Sequence, residues 1–169
     1  QIDGSNANAE SQAGGVIGSA AKALRGLVSL IGVVSNTKTA QTVLDAFYRT
    51  QLTQCLVQCM RLFGSKLHYR TVANLCHVLS ELVLTSSRFM TKFVESSGLM
   101  ILDQLPHKVL YPASYRNIQS PEGRRALDEA LVCSLQLASH LARHSDDHHE
   151  LLETVLSPLK LAGILFYGG

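Results

Sequence analysis

Charged residues are scarce in this chain of 169 residues, and the scarcity narrows what the chain can do. They make up only 17% of the sequence, and the formal net charge is +2. Proteins that bind nucleic acid usually carry a strongly basic domain or stripe, so the composition gives no support to a nucleic-acid-binding function. The apolar share of 46% excludes a chain that is disordered throughout.

Cysteine is also infrequent, and its spacing is uninformative. Cys55, Cys59, Cys76 and Cys133 lie in apolar surroundings and lack the paired spacing of disulfide scaffolds and zinc sites. We predict that all four are reduced core thiols. Together with a start at Gln1 that lacks a signal-like leader, this predicts a fragment of a longer intracellular protein, cytoplasmic or nuclear.

No long uninterrupted apolar run is present. The most apolar stretch, residues 16–34, contains Lys22 and Arg25, so its uncharged part falls short of the roughly 20 residues that span a bilayer. We therefore expect a buried helix covered on more than one side, and no membrane association. Residues 1–14 are small and polar and predict a flexible tail or linker before a domain at 15–169.

What the chain does have is helical spacing. No segment alternates with period two for long enough to form a strand, so the prediction is all-α. Ser120, Pro121 and Glu122 form a helix start, which predicts a helix from Pro121 to Arg143. Residues 106–120 form a long insertion loop between helices. The clearest apolar stripe consists of Val72, Leu75, Cys76, Leu79, Leu82 and Val83.

The helical segments follow a repeated order of short helix, tight turn, medium helix, break and long helix. One copy runs from "TVLDAFYRTQLTQCLVQCMRLFG" into "YRTVANLCHVLSELVL", and a second from "RFMTKFVESSGLMILDQL" into "RRALDEALVCSLQLASHLARH". A third, partial copy is "HELLETVLSPLKLAGILF". A unit of ~40 residues is the period of helical solenoids.

The second copy carries a family resemblance. Its residues Phe93, Val94, Glu95, Gly98, Leu99, Leu102 and Leu105, preceded by "VANLCHVLSEL", resemble the armadillo-repeat family, with HEAT repeats as near neighbours. The resemblance extends over residues 16–169. It implies a right-handed α-solenoid of about three armadillo-like repeats whose long helices line one side. We expect Gly98 to adopt a positive φ in the tight turn, because glycine does so without a Cβ clash.

The resemblance also implies a non-catalytic scaffold or adaptor that binds a segment of another protein, or of its own parent chain, and needs no cofactor. Members that recognise basic peptides in nuclear import carry a ladder of Trp and Asn. This chain has no Trp and places Gly26, Glu81 and His140 at the Asn positions, so a different partner geometry is implied. The predicted partner-binding residues, on the long-helix face and the insertion loop, are Arg70, His77, Glu81, Tyr111, Tyr115, Arg116, Gln136, His140 and Arg143.

Three other interpretations stay open. The basic turn from Arg61 to Arg70 is a candidate nucleic-acid contact. The cluster from His140 to His149 is a candidate zinc site, because His140, His144 and His148 recur every four residues. The apolar end from Leu159 to Phe166 is a candidate surface for stacking with further repeats or for self-association.

Overall fold

The computed structural model describes residues 3–34, 36–63, 66–102 and 120–144, and for residues 3–11 it describes the backbone only. All regular structure in these ranges is helical, which confirms the all-α prediction. Most of the insertion loop and residues 145–169 lie outside the described residues. The helices are α1 (Asp3–Val33), α2 (Lys38–Arg49), α3 (Leu52–Phe63), α4 (Tyr69–Thr85), α5 (Ser87–Glu95), α6 (described over residues 98–102) and α7 (Pro121–His144).

The start of α7 confirms the predicted helix start. Pro121 occupies the first helical position, and the Ser120 hydroxyl accepts a hydrogen bond from the Gly123 N–H at 3.0 Å. Glu122 adds an acidic group to the first turn. The Ser120 hydroxyl satisfies one free backbone donor, and the Glu122 carboxylate interacts favourably with the positive end of the helix dipole. The helix therefore begins where the sequence indicates.

Two short turns in the chain have the same geometry. Thr50 and Ser96 end α2 and α5 with similar backbone angles, and each donates its hydroxyl to the carbonyl four residues earlier. The next residue takes a left-handed conformation in both cases, with φ of 55° at Gln51 and 66° at Ser97. The following helix, α3 or α6, then begins at once.

The prediction of a positive φ at Gly98 is therefore wrong, because Ser97 takes that conformation and Gly98 begins α6. Gly98 is required for a different reason. A Cβ at this position would lie 2.6 Å from three atoms of the Phe93 ring, which is fully buried. The missing side chain lets α6 pack directly onto the last turn of α5.

Helix α4 is the centre of the described fold. It packs between α1 and α7 and also contacts α3 and α5. Contact on all these sides explains why α4 buries polar residues as well as the predicted apolar stripe. The buried residues of α4 are Thr71, Val72, Ala73, Asn74, Leu75, Cys76, Val78, Leu79, Ser80, Leu82 and Val83.

The three long helices run in the same direction. A Cβ at Gly18 of α1 would lie 3.0 Å from the Thr71 hydroxyl oxygen, and one at Gly32 would lie 4.0 Å from a carboxylate oxygen of Glu81. Residue numbers therefore increase in the same direction along α1 and α4, so these two helices are parallel. The order along α4 and α7 is also the same: the Tyr69 hydroxyl lies 3.4 Å from the Ser120 hydroxyl at the starts of the two helices, and Leu84 near the end of α4 lines one groove with Val132 and Arg143.

The first helix differs from the sequence-based expectation in two ways. Residues 3–14 are helical and continuous with α1, although a flexible tail was expected. The prediction that residues 16–34 are covered on more than one side is wrong, because one face packs on α4 and the opposite face is exposed. Buried apolar positions in α1 are Ala21, Val28 and Ile31, and the exposed ones include Val16, Leu27, Leu30, Val33 and Val34.

Within the described residues, Gln12–Val33 is one helix that is long and apolar enough to cross a membrane, judged by length and composition alone. Core helices of soluble proteins pass the same test. Two features of Gln12–Val33 are relevant to whether it crosses a membrane. The stretch contains the charged residues Lys22 and Arg25, and one face of the helix contacts α4.

We expect Gly98→Ala to lower the free energy of unfolding by about 1–3 kcal/mol, because the new methyl group overlaps the Phe93 ring. Urea denaturation of both proteins measures the difference. Gly26→Ala is the matched control: Gly26 is also helical, and a Cβ added there would have no atom within 4 Å. That change should raise stability by roughly 0.5–1 kcal/mol. Equal effects at the two glycines would contradict the packing role assigned to Gly98.

Candidate functional site

A cluster of polar side chains joins the three long helices. Glu129 of α7 forms ion pairs with Arg25 of α1 and with Arg70 of α4, the latter at 3.3 Å. Arg25 also donates a hydrogen bond to the buried Asn74 amide oxygen at 3.0 Å. The His77 Nδ1 atom lies 4.0 Å from the Glu129 carboxylate. We call Arg25, Arg70, Asn74, His77 and Glu129 the Glu129 cluster.

Helical spacing explains why these side chains meet. Arg70, Asn74, His77 and Glu81 succeed one another along α4 at steps of four, three and four residues, so they share one face. Arg25 approaches this face from α1 and Glu129 approaches it from α7. Each of the three ionisable side chains in the two ion pairs remains partly exposed, which limits the cost of desolvating them.

A groove lies between α4 and α7, closer to the C-terminal ends of these helices than the Glu129 cluster. It has a volume of about 480 Å³ and is open to solvent. Two of its apolar residues, Leu84 and Val132, are 41% and 52% exposed. The groove is therefore an apolar surface with a polar edge. Its lining residues are Leu84 of α4 and Val132, Leu135, Gln136, Ser139, His140 and Arg143 of α7.

Five of the predicted partner-binding residues belong to the Glu129 cluster or to the groove. Arg70 and His77 belong to the Glu129 cluster. Gln136, His140 and Arg143 line the groove. Glu81 lies one helical turn beyond His77, close to Gly32 of α1. The remaining predicted residues, Tyr111, Tyr115 and Arg116, lie outside the described residues.

Arg25, Asn74 and Glu129 are members of this cluster that the sequence did not predict. A signal for Glu129 was present, because it stands three residues after the buried Ala126 and four before the buried Cys133. A carboxylate beside a buried stripe predicts a cationic partner. The sequence offered no means of choosing Arg25, which is more than a hundred residues away.

One titratable side chain of the groove is His140. Burial lowers its pKa, and the nearby positive charges of His144 and Arg143 lower it further. The rings of His140 and His144 lie 4.5 Å apart, measured between centroids. Arg143 donates a hydrogen bond to the Ser139 hydroxyl at 3.3 Å. Arg143 thus places a permanent positive charge beside His140, near the end of α7.

The zinc interpretation falls only partly within the described residues. The part of the chain that the structure describes holds no group of three or more His, Cys, Asp or Glu side chains arranged for a metal ion. His140 and His144 are neighbours there, whereas Asp146, Asp147, His148 and His149 lie outside the described residues. Zinc binding at His140–His149 stays a prediction.

Three of the four thiols, those of Cys59, Cys76 and Cys133, are poorly suited to nucleophilic chemistry. Burial raises the pKa of Cys76 to about 12, and it also raises the pKa values of Cys59 and Cys133. A raised pKa keeps the thiol protonated, and the thiolate is the nucleophile. Cys76 and Cys133 are buried as predicted, but the core assignment of Cys55 is wrong because this residue is exposed on α3.

The basic turn between α3 and α4 contributes to folding. The His68 imidazole caps α4 by accepting a hydrogen bond from the Arg70 N–H at 3.3 Å, and its ring lies against Tyr69 with centroids 3.8 Å apart. The Arg70 guanidinium faces Glu129. A pairing with carboxylate reduces the charge that Arg70 could offer to a phosphate backbone.

Comparison of the chain with protein-family models, with curated proteins and with solved structures finds no match.

Arg25 and Glu129 should be energetically coupled. We expect the two single alanine variants and the double variant to yield a coupling free energy of about 1 kcal/mol in urea denaturation, because Glu129→Ala leaves the Arg25 charge without a carboxylate and Arg25→Ala removes one of the two arginines that pair with Glu129. The control cycle uses Lys92 and Glu95, an exposed pair on α5. Its coupling should be smaller, and a larger value there would contradict the role of the Glu129 cluster.

His140 should titrate below the ordinary histidine range, and proton NMR of its ring measures this. His144→Ala should raise the pKa of His140 part of the way back, because it removes one neighbouring cation while burial remains. Since the folded state binds the proton less readily than the unfolded state, this group should make folding less stable as the pH falls below about 6.5. An unchanged pKa in His144→Ala would show that the two imidazoles do not interact.

Proposed function

We propose that the chain is a right-handed α-solenoid of armadillo-like repeats, about three in number. Two observations support this. The Thr50–Gln51 and Ser96–Ser97 turns repeat the same geometry at equivalent points of successive units. Helices α1, α4 and α7, the long members of the units, run in the same direction with α4 between the other two. Each unit gains a core by stacking on its neighbour.

We propose that the domain functions as a non-catalytic interaction scaffold or adaptor. The observation that carries this proposal is the open groove, because three residues assigned to partner binding from sequence, Gln136, His140 and Arg143, line it together with exposed apolar side chains. Exposed apolar surface rimmed by polar groups is typical of protein-binding sites. The polar stripe from Arg70 to Glu81 leads along α4 towards the same groove.

We also propose an intracellular location away from membranes. Arg25 lies in the middle of α1 and binds both Asn74 and Glu129. If α1 left α4 to enter a bilayer, Asn74 and Glu129 would lose that partner and a charged side chain would enter the hydrocarbon region. The cost of these changes favours α1 as part of the folded domain. Stacking or self-association through Leu159–Phe166 stays a prediction.

The test is a comparison of variants in a binding experiment. The immobilised domain is incubated with cell extract, and retained proteins are quantified by mass spectrometry. Glu81→Ala combined with His140→Ala should reduce retention of at least one protein several-fold, because both side chains lie on the proposed binding face. Circular dichroism verifies that the variant is folded.

The matched control is Glu95→Ala combined with Arg61→Ala, which alters exposed charged residues on α5 and α3. This variant should retain the same proteins as the wild type. If the Glu81 and His140 variant retains every protein at the wild-type level, the long-helix face is not the binding site.

A further inference from the structure

The groove between α4 and α7 has an uneven distribution of charge. Among the residues that the structure describes, its lining contains one permanent cation, Arg143, and no carboxylate. Asp128 stands one turn before Val132 on the same side of α7, at the opposite end of the groove from Arg143. Glu81 lies one turn before Leu84, towards α1. The described lining is thus apolar at Leu84, Val132 and Leu135 and carries a permanent cation at Arg143.

Arg143 has hydrogen-bonding capacity for a ligand. A guanidinium carries five N–H donors in a planar fork that matches a carboxylate. In the structure its side chain donates to the neutral Ser139 hydroxyl at 3.3 Å, and it is exposed. This arrangement contrasts with Arg25 and Arg70, whose guanidinium groups face Glu129.

The charge of Arg143 acts on a neighbouring side chain of the groove. His140 and His144 stand three residues before and one residue after it, and the charges of Arg143 and His144 both disfavour protonation of His140. Such mutual repulsion is relieved when an anion binds between like charges. Leu84, Val132 and Leu135 offer an apolar contact in the same groove as Arg143.

We propose that this groove binds a protein segment that places an aliphatic side chain on Leu84, Val132 and Leu135 and a carboxylate on Arg143. The inference rests on the proposed function and specifies the chemistry of the partner. Leu135 and Arg143 are two helical turns apart, about 12 Å along α7. A partner therefore separates its aliphatic and acidic residues by about four positions if extended, or by about eight if helical.

A peptide library tests this chemistry directly, since the selection itself supplies the ligands. Random 12-residue peptides displayed on phage are selected on the immobilised domain, and the enriched sequences are synthesised with a fluorescent label. We expect them to combine Leu, Ile or Val with Asp or Glu at one of these two spacings. Fluorescence polarisation then measures the affinity of each peptide for wild-type domain and variants.

Arg143→Gln should weaken binding at least tenfold, because it removes a charge-assisted hydrogen bond, and Val132→Ser should weaken it several-fold. The matched controls are Arg61→Gln and Leu62→Ser, a cation and an exposed leucine in the last turn of α3. Both should bind as the wild type does. All four positions are exposed, so the variants should fold, and circular dichroism verifies it.

The pKa of His140 provides a second measurement. A bound carboxylate at Arg143 should raise this pKa in the NMR titration, whereas a peptide that binds elsewhere should leave it unchanged.

The outcomes separate the two proposals. Peptides that lack acidic residues, or that bind Arg143→Gln as tightly as wild type, overturn the carboxylate inference; the proposed function survives if the same peptides lose affinity for the Glu81 and His140 variant. A selection that returns no peptide sensitive to changes on this face overturns both.

Discussion

The described fold depends on the burial of α4. This helix is covered by α1 and α7 on two sides and also contacts α3 and α5, so most of its side chains are removed from water. Burial of that extent includes Asn74, whose amide oxygen needs a hydrogen bond, and Arg25 supplies it. Arg25 in turn requires a carboxylate, which Glu129 provides from α7. One buried amide thereby links the positions of three helices.

The same packing determines which surfaces remain open. Because α4 occupies the centre, α1 and α7 each keep one face towards solvent, and these faces differ in character. The outer face of α1 exposes aliphatic side chains such as Leu30 and Val33. The open side of α7 beside Leu84 of α4 combines Val132 and Leu135 with polar side chains and ends at Arg143. A face with both apolar and charged groups discriminates between partners better than an apolar one, because a mismatched charge is costly.

Sequence patterns predicted those features of the fold that depend on residues within a few positions of one another. The start of α7 at Ser120 and Pro121, the apolar stripe of α4 and the alternation of short and long helices follow from caps and from spacing within a few residues. Gly98 shows the limit of such reasoning. A glycine in a turn suggested a positive φ, whereas its neighbour Ser97 has the positive φ and Gly98 accommodates the Phe93 ring. Only the packing of α6 on α5 distinguishes these two roles.

By itself, the sequence determined that this chain is helical, where several helices begin and which side of each is apolar, because hydrophobic period and capping act within a few turns. It also drew attention to Gln136, His140 and Arg143, which share one side of a single helix. Tertiary structure decided that Arg25 meets Glu129, that α1 is covered on one side only, and that Leu84 joins α7 to form a groove. These outcomes depend on contacts between helices distant in the chain, and no local pattern encodes which helix faces which.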